Sequence, residues 1–232
     1  MLDEKIYNLS ITHWYKRWWG IALFAFLTIC LIFLIAFGFY VLNLSKSIKN
    51  NPLLLPVSKI KYDKTLVEGK NNYRFGSDKA KIQIVEFTDF ACPYSKNSFP
   101  KIREIGLKYG KDVNITIRDY PYRTEYSIIL AEAARCAGEQ GYYWPMHDNL
   151  FQDQGVSTEA ELNGLARQIG ADEDKFSACL KSEKYYKDIE LDLADAETLA
   201  ITGTPTWFIN GNRIEGDMPL ATWENIIRQL NK

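Results

Sequence analysis

The stretch AKIQIVEFTDFACPYS, residues 80–95, decides the fold. Its first half alternates around β-branched and aromatic residues, a pattern that predicts a strand. Cys92 and Pro93 follow directly, and proline suits the first position of a helix because it has no N–H to leave unpaired. The next residues, SKNSFPKIREIGLKYG (95–110), have the apolar spacing of a helix that ends at Gly110. The stretch therefore predicts a strand, a tight turn and a helix that starts at Cys92.

Cys92 is the candidate reactive group of this turn. A sulfur at the start of a helix lies among backbone N–H groups that have no partner in the helix, at the positive end of the helix dipole, and both features stabilise a thiolate. We therefore predict an exposed, nucleophilic Cys92, the alternative being a buried, inert cysteine. Glu86 is expected beneath the helix start, where burial raises a carboxyl pKa and suits the group to exchange protons with the sulfur. The alternative for Glu86 is a carboxylate in solvent.

The chain that follows completes an α/β domain. Residues 112–120 (DVNITIRDY) alternate and predict a second strand, which a strand–helix–strand unit places parallel to the first. Residues 124–202 are rich in helix formers and carry start signals such as the capping box of Thr158 and Glu161. A hairpin and a last amphipathic helix, residues 220–230, close the chain. The pattern predicts a sheet interrupted by a helical insertion.

Thr204 and Pro205 open the hairpin. A proline at the start of a strand is a candidate for a cis peptide bond. Such a bond would leave the backbone of Thr204 free to pair with an incoming peptide as an added strand. We therefore predict that these two residues bind substrate.

An apolar run near the N-terminus predicts a membrane anchor. Residues 20–44 contain no charged side chain and, as a helix, exceed the hydrocarbon thickness of roughly 30 Å. We read them as one uncleaved transmembrane helix, with residues 1–19 as a short cytoplasmic or interfacial segment and residues 45–74 as a linker. Basic residues on both flanks leave the orientation undecided. Because disulfide chemistry needs an oxidising compartment, we expect the C-terminal domain on the periplasmic or extracellular side.

Three thiols remain when Cys30, which lies inside the apolar run, is set aside. An odd number of exported cysteines suggests one pair and one free reactive thiol. Cys136 and Cys179 both lie in the predicted insertion, so we favour a structural disulfide between them. The alternatives are that one of them resolves a disulfide formed by Cys92, or that both are simply buried.

Charge and composition exclude several functional classes. The chain has 28 basic and 29 acidic residues, a net charge of -1, so it has no field that would favour nucleic acid. It has no glycine-rich phosphate loop and no spacing of metal ligands. We expect His147 to be a packed helix residue and His13 to belong to the flank of the anchor. We therefore expect no metal, no cofactor and no nucleic acid.

Four blocks of sequence carry a family resemblance: VEFTDFACPYS, AARCAGEQGYYWPMHDNLF, FSACLKS and GTPTWFING. They resemble the corresponding blocks of the DsbA-like thioredoxin family. The resemblance implies a thioredoxin fold over residues 75–232 with the helical insertion at about 124–202, and thiol-disulfide exchange on exported cysteine-containing proteins. It also implies that Cys92 is the attacking thiol, Glu86 its acidic partner and Pro205 the cis-proline.

One position departs from the family. The motif here is Cys92-Pro93-Tyr94-Ser95, with a serine where the family has a second cysteine. A hydroxyl cannot close a disulfide, but the single thiol can still form a mixed disulfide that another thiol resolves. We expect Ser95 to donate a hydrogen bond to the Cys92 thiolate; an engineered substitution is the other explanation for this serine.

The departure leaves several functions open. The first is a membrane-anchored oxidoreductase or isomerase with one active-site cysteine, resolved by glutathione or by a redox partner protein. The second is a non-catalytic binding or chaperone module of the same fold. The third is an assembly factor held in a membrane complex by residues 20–44.

Overall fold

The computed structural model describes residues 18–50 and 62–232 and divides the chain into two compact units, one on each side of the junction of residues 51 and 52. The first unit contains helix α1, Trp18–Asn50. Its stretch Trp18–Lys46 has a mean hydropathy of 2.8, which is long and apolar enough to cross a membrane. The helix extends past both ends of the predicted span 20–44, so it includes residues that the sequence assigned to the linker.

The second unit is built on a five-stranded sheet in the order β1-β3-β2-β4-β5. The strands are β1 (Arg74–Gly76), β2 (Ile82–Thr88), β3 (Val113–Asp119), β4 (Thr206–Ile209) and β5 (Asn212–Glu215). Strands β2 and β3 are parallel, as predicted, and the other pairs are antiparallel. Because β2 is the central strand, the turn that follows it lies in the middle of one end of the sheet.

Eight helices accompany the sheet among the described residues of this unit. They are α2 (Lys64–Glu68), α3 (Pro93–Lys108), α4 (Ser127–Glu139), α5 (Tyr143–Gln152), α6 (Glu159–Gln168), α7 (Glu173–Lys181), α8 (Tyr186–Thr198) and α9 (Leu220–Leu230). Helices α3 and α9 pack on one face of the sheet, where Ile84, Ile102 and Trp223 share a core. Helices α2 and α8 contribute to the core on the other face, around Phe87 and Phe208.

Helices α4 to α8 form the insertion between β3 and β4, and α4 to α7 have a core of their own. That core includes Phe151, Leu162 and Phe176, all fully buried. Cys136 on α4 and Cys179 on α7 form a disulfide with a Cα–Cα distance of 5.8 Å. The capping box at the start of α6 is present as predicted. The observed layout is the α/β fold with a helical insertion that the sequence predicted.

A buried arginine on β3 holds helix α2 against the domain. Nη1 of Arg118 donates to the carbonyls of Leu66 and Val67, each at 2.9 Å. The rest of the guanidinium pairs with Asp192 at 2.7 Å and Asp195 at 2.6 Å, both on α8. Because the main-chain carbonyls of α2 are held from the middle of the fold, this short helix is part of the domain.

A second buried arginine extends the same network. Arg135 on α4 pairs with Asp119 at 2.6 Å and with Asp192 at 2.8 Å, and it donates to the carbonyl of Asn71. The predicted linker 45–74 was therefore too long at its C-terminal end, because residues from α2 onward are fixed by these charges.

Candidate active site

The turn between β2 and α3 presents Cys92 as the N-cap residue of α3, with Pro93 at the first helical position. Its Sγ donates a hydrogen bond to the carbonyl oxygen of Thr204 at 3.2 Å. Only 1% of the Cys92 surface is exposed, so the predicted exposed thiol was wrong. The sulfur is covered because a segment 112 residues further along the chain closes over it.

Thr204 and Pro205 lie where the sequence placed them, at the start of β4. The peptide bond between them is cis, and Phe87 of β2 pairs with Thr206 directly after it. The sheet thus brings the residue before the cis-proline next to the end of the central strand. This pairing explains how two distant motifs meet at one sulfur.

Ser95 does not contact Cys92 in the way the sequence suggested. Its side chain is 0% exposed, and Oγ has no hydrogen-bond partner. The expected hydrogen bond from Ser95 to the sulfur is therefore absent, and the thiol is bonded to Thr204 instead. Tyr94, the other central residue of the motif, is 59% exposed and forms part of the outer surface.

Glu86 is buried in β2. Neither of its carboxylate oxygens has a hydrogen-bond partner, and burial raises the pKa of this carboxyl to about 8. Along the strand it alternates onto the face of Ile82 and Ile84, which is the face that α3 covers. With its pKa raised to about 8, the carboxyl of Glu86 is expected to be mostly protonated at neutral pH, inside the strand that leads to Cys92.

The raised pKa of Glu86 predicts a stability that depends on pH. The unfolded chain loses this proton near the ordinary value of 4.5 and the folded chain only near 8, so the stability present below pH 4.5 is lost as the pH rises towards 8. Glu86→Gln removes the titration. We expect the free energy of unfolding of the variant, relative to wild type, to rise by roughly 3 kcal/mol between pH 5 and pH 8.

Urea unfolding at the two pH values measures this difference. Glu190→Gln is a suitable control, because Glu190 is exposed on α8. A gap between Glu86→Gln and wild type that stays constant across this range would contradict a buried neutral Glu86.

Two residues that the sequence did not single out hold the turn. The carboxylate of Asp89 accepts hydrogen bonds from the N–H groups of Ala91, Tyr122 and Arg123, which ties the turn to the loop after β3. From the insertion, the side chain of Gln154 reaches the backbone of the same turn. The only sequence signal for Gln154 is the glycine that follows it.

His147 has no contact with Cys92 among the hydrogen bonds and ring contacts of the described residues. It is buried on α5 among Phe90, Trp144 and Phe151, and its Nδ1 lies 2.9 Å from Asp148. Burial lowers the pKa of the imidazole. The described residues contain no group of three metal-ligating side chains arranged around one point.

The comparison with known families agrees with this geometry. A family model described as thioredoxin, Thioredoxin_4, matches residues 68–229. The chain belongs to this family. Solved structures of DsbA proteins have the same fold, so the DsbA-like assignment made from the four sequence blocks is confirmed.

Three solved structures illustrate the likeness. DsbA2 from Pseudomonas aeruginosa is 26% identical, with a TM-score of 0.56 over 68% of this chain and 94% of that one. The thiol-disulfide exchange protein alpha-DsbA2 from Wolbachia pipientis is 20% identical, with a TM-score of 0.66 over 72% and 91%. BdbD from Bacillus subtilis is 24% identical, with a TM-score of 0.60 over 69% and 94%. At identities of 20% and 24%, the last two show the fold alone.

The proteins that are similar in sequence are named as Na(+)/H(+) antiporters and not as thioredoxins. The Na(+)/H(+) antiporter NhaA 1 from Salinispora arenicola is 36% identical over 143 residues, 61% of this chain. The antiporter NhaA from Herminiimonas arsenicoxydans is 31% identical over 147 residues. The chain spans only 22% and 24% of the lengths of these proteins, respectively.

Proposed function

We propose that the protein is a membrane-anchored thiol-disulfide oxidoreductase that works through the single thiol of Cys92. The observation that carries the proposal is the position of this sulfur: at the start of α3 and 3.2 Å from the carbonyl of Thr204, the residue before cis-Pro205. A disulfide that pairs with the backbone at Thr204 would present its sulfur to Cys92. The two elements supply a nucleophile and a place for its substrate.

The reaction needs no net oxidant or reductant. The thiolate of Cys92 attacks one sulfur of a substrate disulfide, a new S–S bond forms, and the other substrate sulfur leaves as a thiolate. Because Ser95 cannot attack the mixed disulfide, a second thiol must do so, and it releases the Cys92 thiolate while forming a new disulfide. When that thiol belongs to the same client, the disulfide is isomerised; when it is glutathione, the client leaves joined to glutathione.

Glu86 fits the proton transfers of this cycle. The Cys92 thiol must lose a proton before attack, and the departing thiolate takes one up. A carboxyl with a pKa of about 8 exchanges protons readily near neutral pH. We propose that Glu86 serves as this buried acid and base.

Helix α1 would hold the domain at the membrane. We propose a cytoplasmic N-terminus and an exocytoplasmic domain, because an oxidising compartment supplies client disulfides. The clients would be exported proteins that contain cysteines, and the resolving thiol would come from glutathione or a redox partner protein.

The test is mixed-disulfide formation by the full-length chain in detergent. Incubated with oxidised glutathione, wild type should gain one glutathione at Cys92, detected by mass spectrometry of the intact protein. Cys92→Ala should gain none there, since it lacks the nucleophile. Cys30→Ala, which alters the free thiol of α1, should behave as wild type. A reduced wild-type protein that gains no glutathione at Cys92 under any pH from 6 to 9 would sink the proposal.

A second function, a client-binding module without turnover, is favoured by the burial of the thiol, since 1% exposure limits attack. Client binding that is equally tight in wild type and Cys92→Ala, with no adduct in either, would favour this module. Binding lost in Cys92→Ala would favour the oxidoreductase.

A further inference from the structure

The active-site turn is held from two sides. The N–H groups of the turn bond to Asp89, which belongs to the turn. The N–H of Ala91 donates to the Asp89 carboxylate at 2.8 Å, and the N–H of Cys92 donates to the backbone carbonyl of Asp89 at 2.9 Å. The carbonyls of the turn are held from the insertion. Nε2 of Gln154 donates to the carbonyl of Phe90 at 2.8 Å and to that of Cys92 at 3.0 Å. The side-chain amide of Gln154, in the insertion, thus binds two backbone carbonyls of the turn, one before and one after Ala91.

These two hydrogen bonds set the direction of the reactive side chain. The carbonyls of Phe90 and Cys92 belong to the peptide planes that flank residues 91 and 92. The plane between them is held by the hydrogen bond from the N–H of Cys92 to the carbonyl of Asp89. Together these bonds restrain the backbone angles that decide where the Cα–Cβ bond of Cys92 points. A reacting atom displaced by about 1 Å can cost on the order of 100-fold in rate.

The turn after α5 brings Gln154 to this place. Gly155 follows it with φ of +119°, a conformation that side chains with a Cβ rarely adopt, and Val156 closes the turn by donating to the carbonyl of Asp153. The chain therefore turns directly beside Gln154. Gln154 lies in the insertion, yet its donors are directed at the backbone of the thioredoxin core.

Other contacts join the insertion to this turn without Gln154. The ring of Phe90 lies 4.9 Å from that of Phe151, and Nζ of Lys96 donates to the carbonyl of Gln152 at 3.1 Å. Neither contact uses the side chain of Gln154. A substitution there therefore tests the two amide hydrogen bonds with the packing retained.

We propose that Gln154 is a positioning residue for Cys92, and that the helical insertion acts on the exchange reaction through it. This rests on the proposed function, since it concerns the reaction of the same sulfur. The insertion then does more than cover the sheet: it sets the angle at which the thiolate meets a disulfide.

The test compares three variants of the full-length chain in detergent. Gln154→Met keeps the length of the side chain and loses both donors, and it should slow mixed-disulfide formation with oxidised glutathione by about tenfold or more. Gln154→Lys restores donors on a chain one bond longer and should recover most of the rate. Gln140→Met is the matched control, because Gln140 also makes two backbone hydrogen bonds, both to Asp172, within the insertion and away from Cys92. It should exchange as wild type does.

Thermal melting separates positioning from loss of fold. We expect Gln154→Met and Gln140→Met to melt at similar temperatures while their exchange rates differ. Equal exchange rates for these two variants would overturn the proposal. So would a Gln154→Lys variant as slow as Gln154→Met, because the donors would then be irrelevant.

Failure of the proposed function gives a different result. If wild-type Cys92 reacts with iodoacetamide but forms no mixed disulfide, the exchange function fails alone. The three variants are then compared by the alkylation rate of Cys92, with Cys92→Ala as the blank. The same order, with Gln154→Met slowest, supports positioning of the sulfur at the start of α3, and equal rates overturn it.

Discussion

Ser95→Cys is expected to give the chain a disulfide between residues 92 and 95 and, with it, the capacity to oxidise a dithiol. The two positions are the N-cap and the third residue of α3. Helix geometry places the Cα atoms of residues three apart at roughly 5 Å, within the Cα range of disulfides. Ser95 is fully buried and its Oγ has no partner, so a sulfur there breaks no hydrogen bond. The substitution supplies the resolving thiol that the motif of residues 92–95 lacks.

The measurement is a count of free thiols in the full-length chain after equilibration with oxidised glutathione. In Ser95→Cys both thiols should disappear without a bound glutathione, and the oxidised protein should then oxidise a reduced peptide dithiol with one disulfide per chain. Wild type should retain a glutathione adduct, so any dithiol that it oxidises should release one glutathione for each disulfide formed, whereas oxidised Ser95→Cys should release none.

Ser98→Cys is the control for Ser95→Cys. Ser98 is also buried on α3, but it lies six residues from Cys92 and donates to Asp217 at 2.7 Å. It should form no disulfide with Cys92. If Ser95→Cys keeps both thiols, or carries only glutathione adducts, the geometry of the turn does not match that of a dithiol site.

Arg135→Met is expected to destabilise the domain by about 3–5 kcal/mol. Arg135 is fully buried, and its removal leaves Asp119 and Asp192 with less compensating charge. Burial already raises the pKa of Asp192 to about 6, against the opposing effect of the neighbouring arginines. Without Arg135 this carboxylate is harder to keep ionised inside the protein.

Urea unfolding followed by tryptophan fluorescence measures the loss. Arg167→Met is the matched control, because Arg167 pairs with Glu173 on the surface, with 70% of its side chain exposed, and such pairs contribute at most about 1 kcal/mol. Equal unfolding free energies for the two variants would show that the buried network contributes no more than a surface pair.

Local patterns predicted much of the fold. The alternation of β2 and β3, the capping box of α6 and the hairpin of β4 and β5 depend on neighbours within a few residues, so sequence spacing reveals them. Strand β1 was missed because it has only three residues and its partner, Thr116 for Arg74, lies 42 residues away. Helix α2 was missed because a helix of five residues is stabilised mainly by tertiary contacts, here those of Arg118.

The features of the site also divide into those set by sequence neighbours and those set by distant contacts. Cys92, Pro93 and the cis-proline are local signals, and each lies where its motif placed it. The burial of the thiol could not be predicted, because it depends on a carbonyl 112 residues away. The same holds for Gln154, whose amide reaches the turn from 62 and 64 residues along the chain. Contacts of this kind depend on the arrangement of whole elements, and no spacing rule describes them.

The hydrogen bonds from Arg118 to helix α2 have a mechanical consequence. A client bound to the domain and an anchor in the membrane would pull the chain in opposite directions, and the tension would enter the domain near α2. There it meets hydrogen bonds from Arg118, which passes the load to β3 and, through Asp192, to α8. Because the carboxylate of Asp89 ties the turn before Cys92 to the loop after β3, the same load would reach that turn. Force on the tether would therefore bear on the backbone that carries the reactive sulfur.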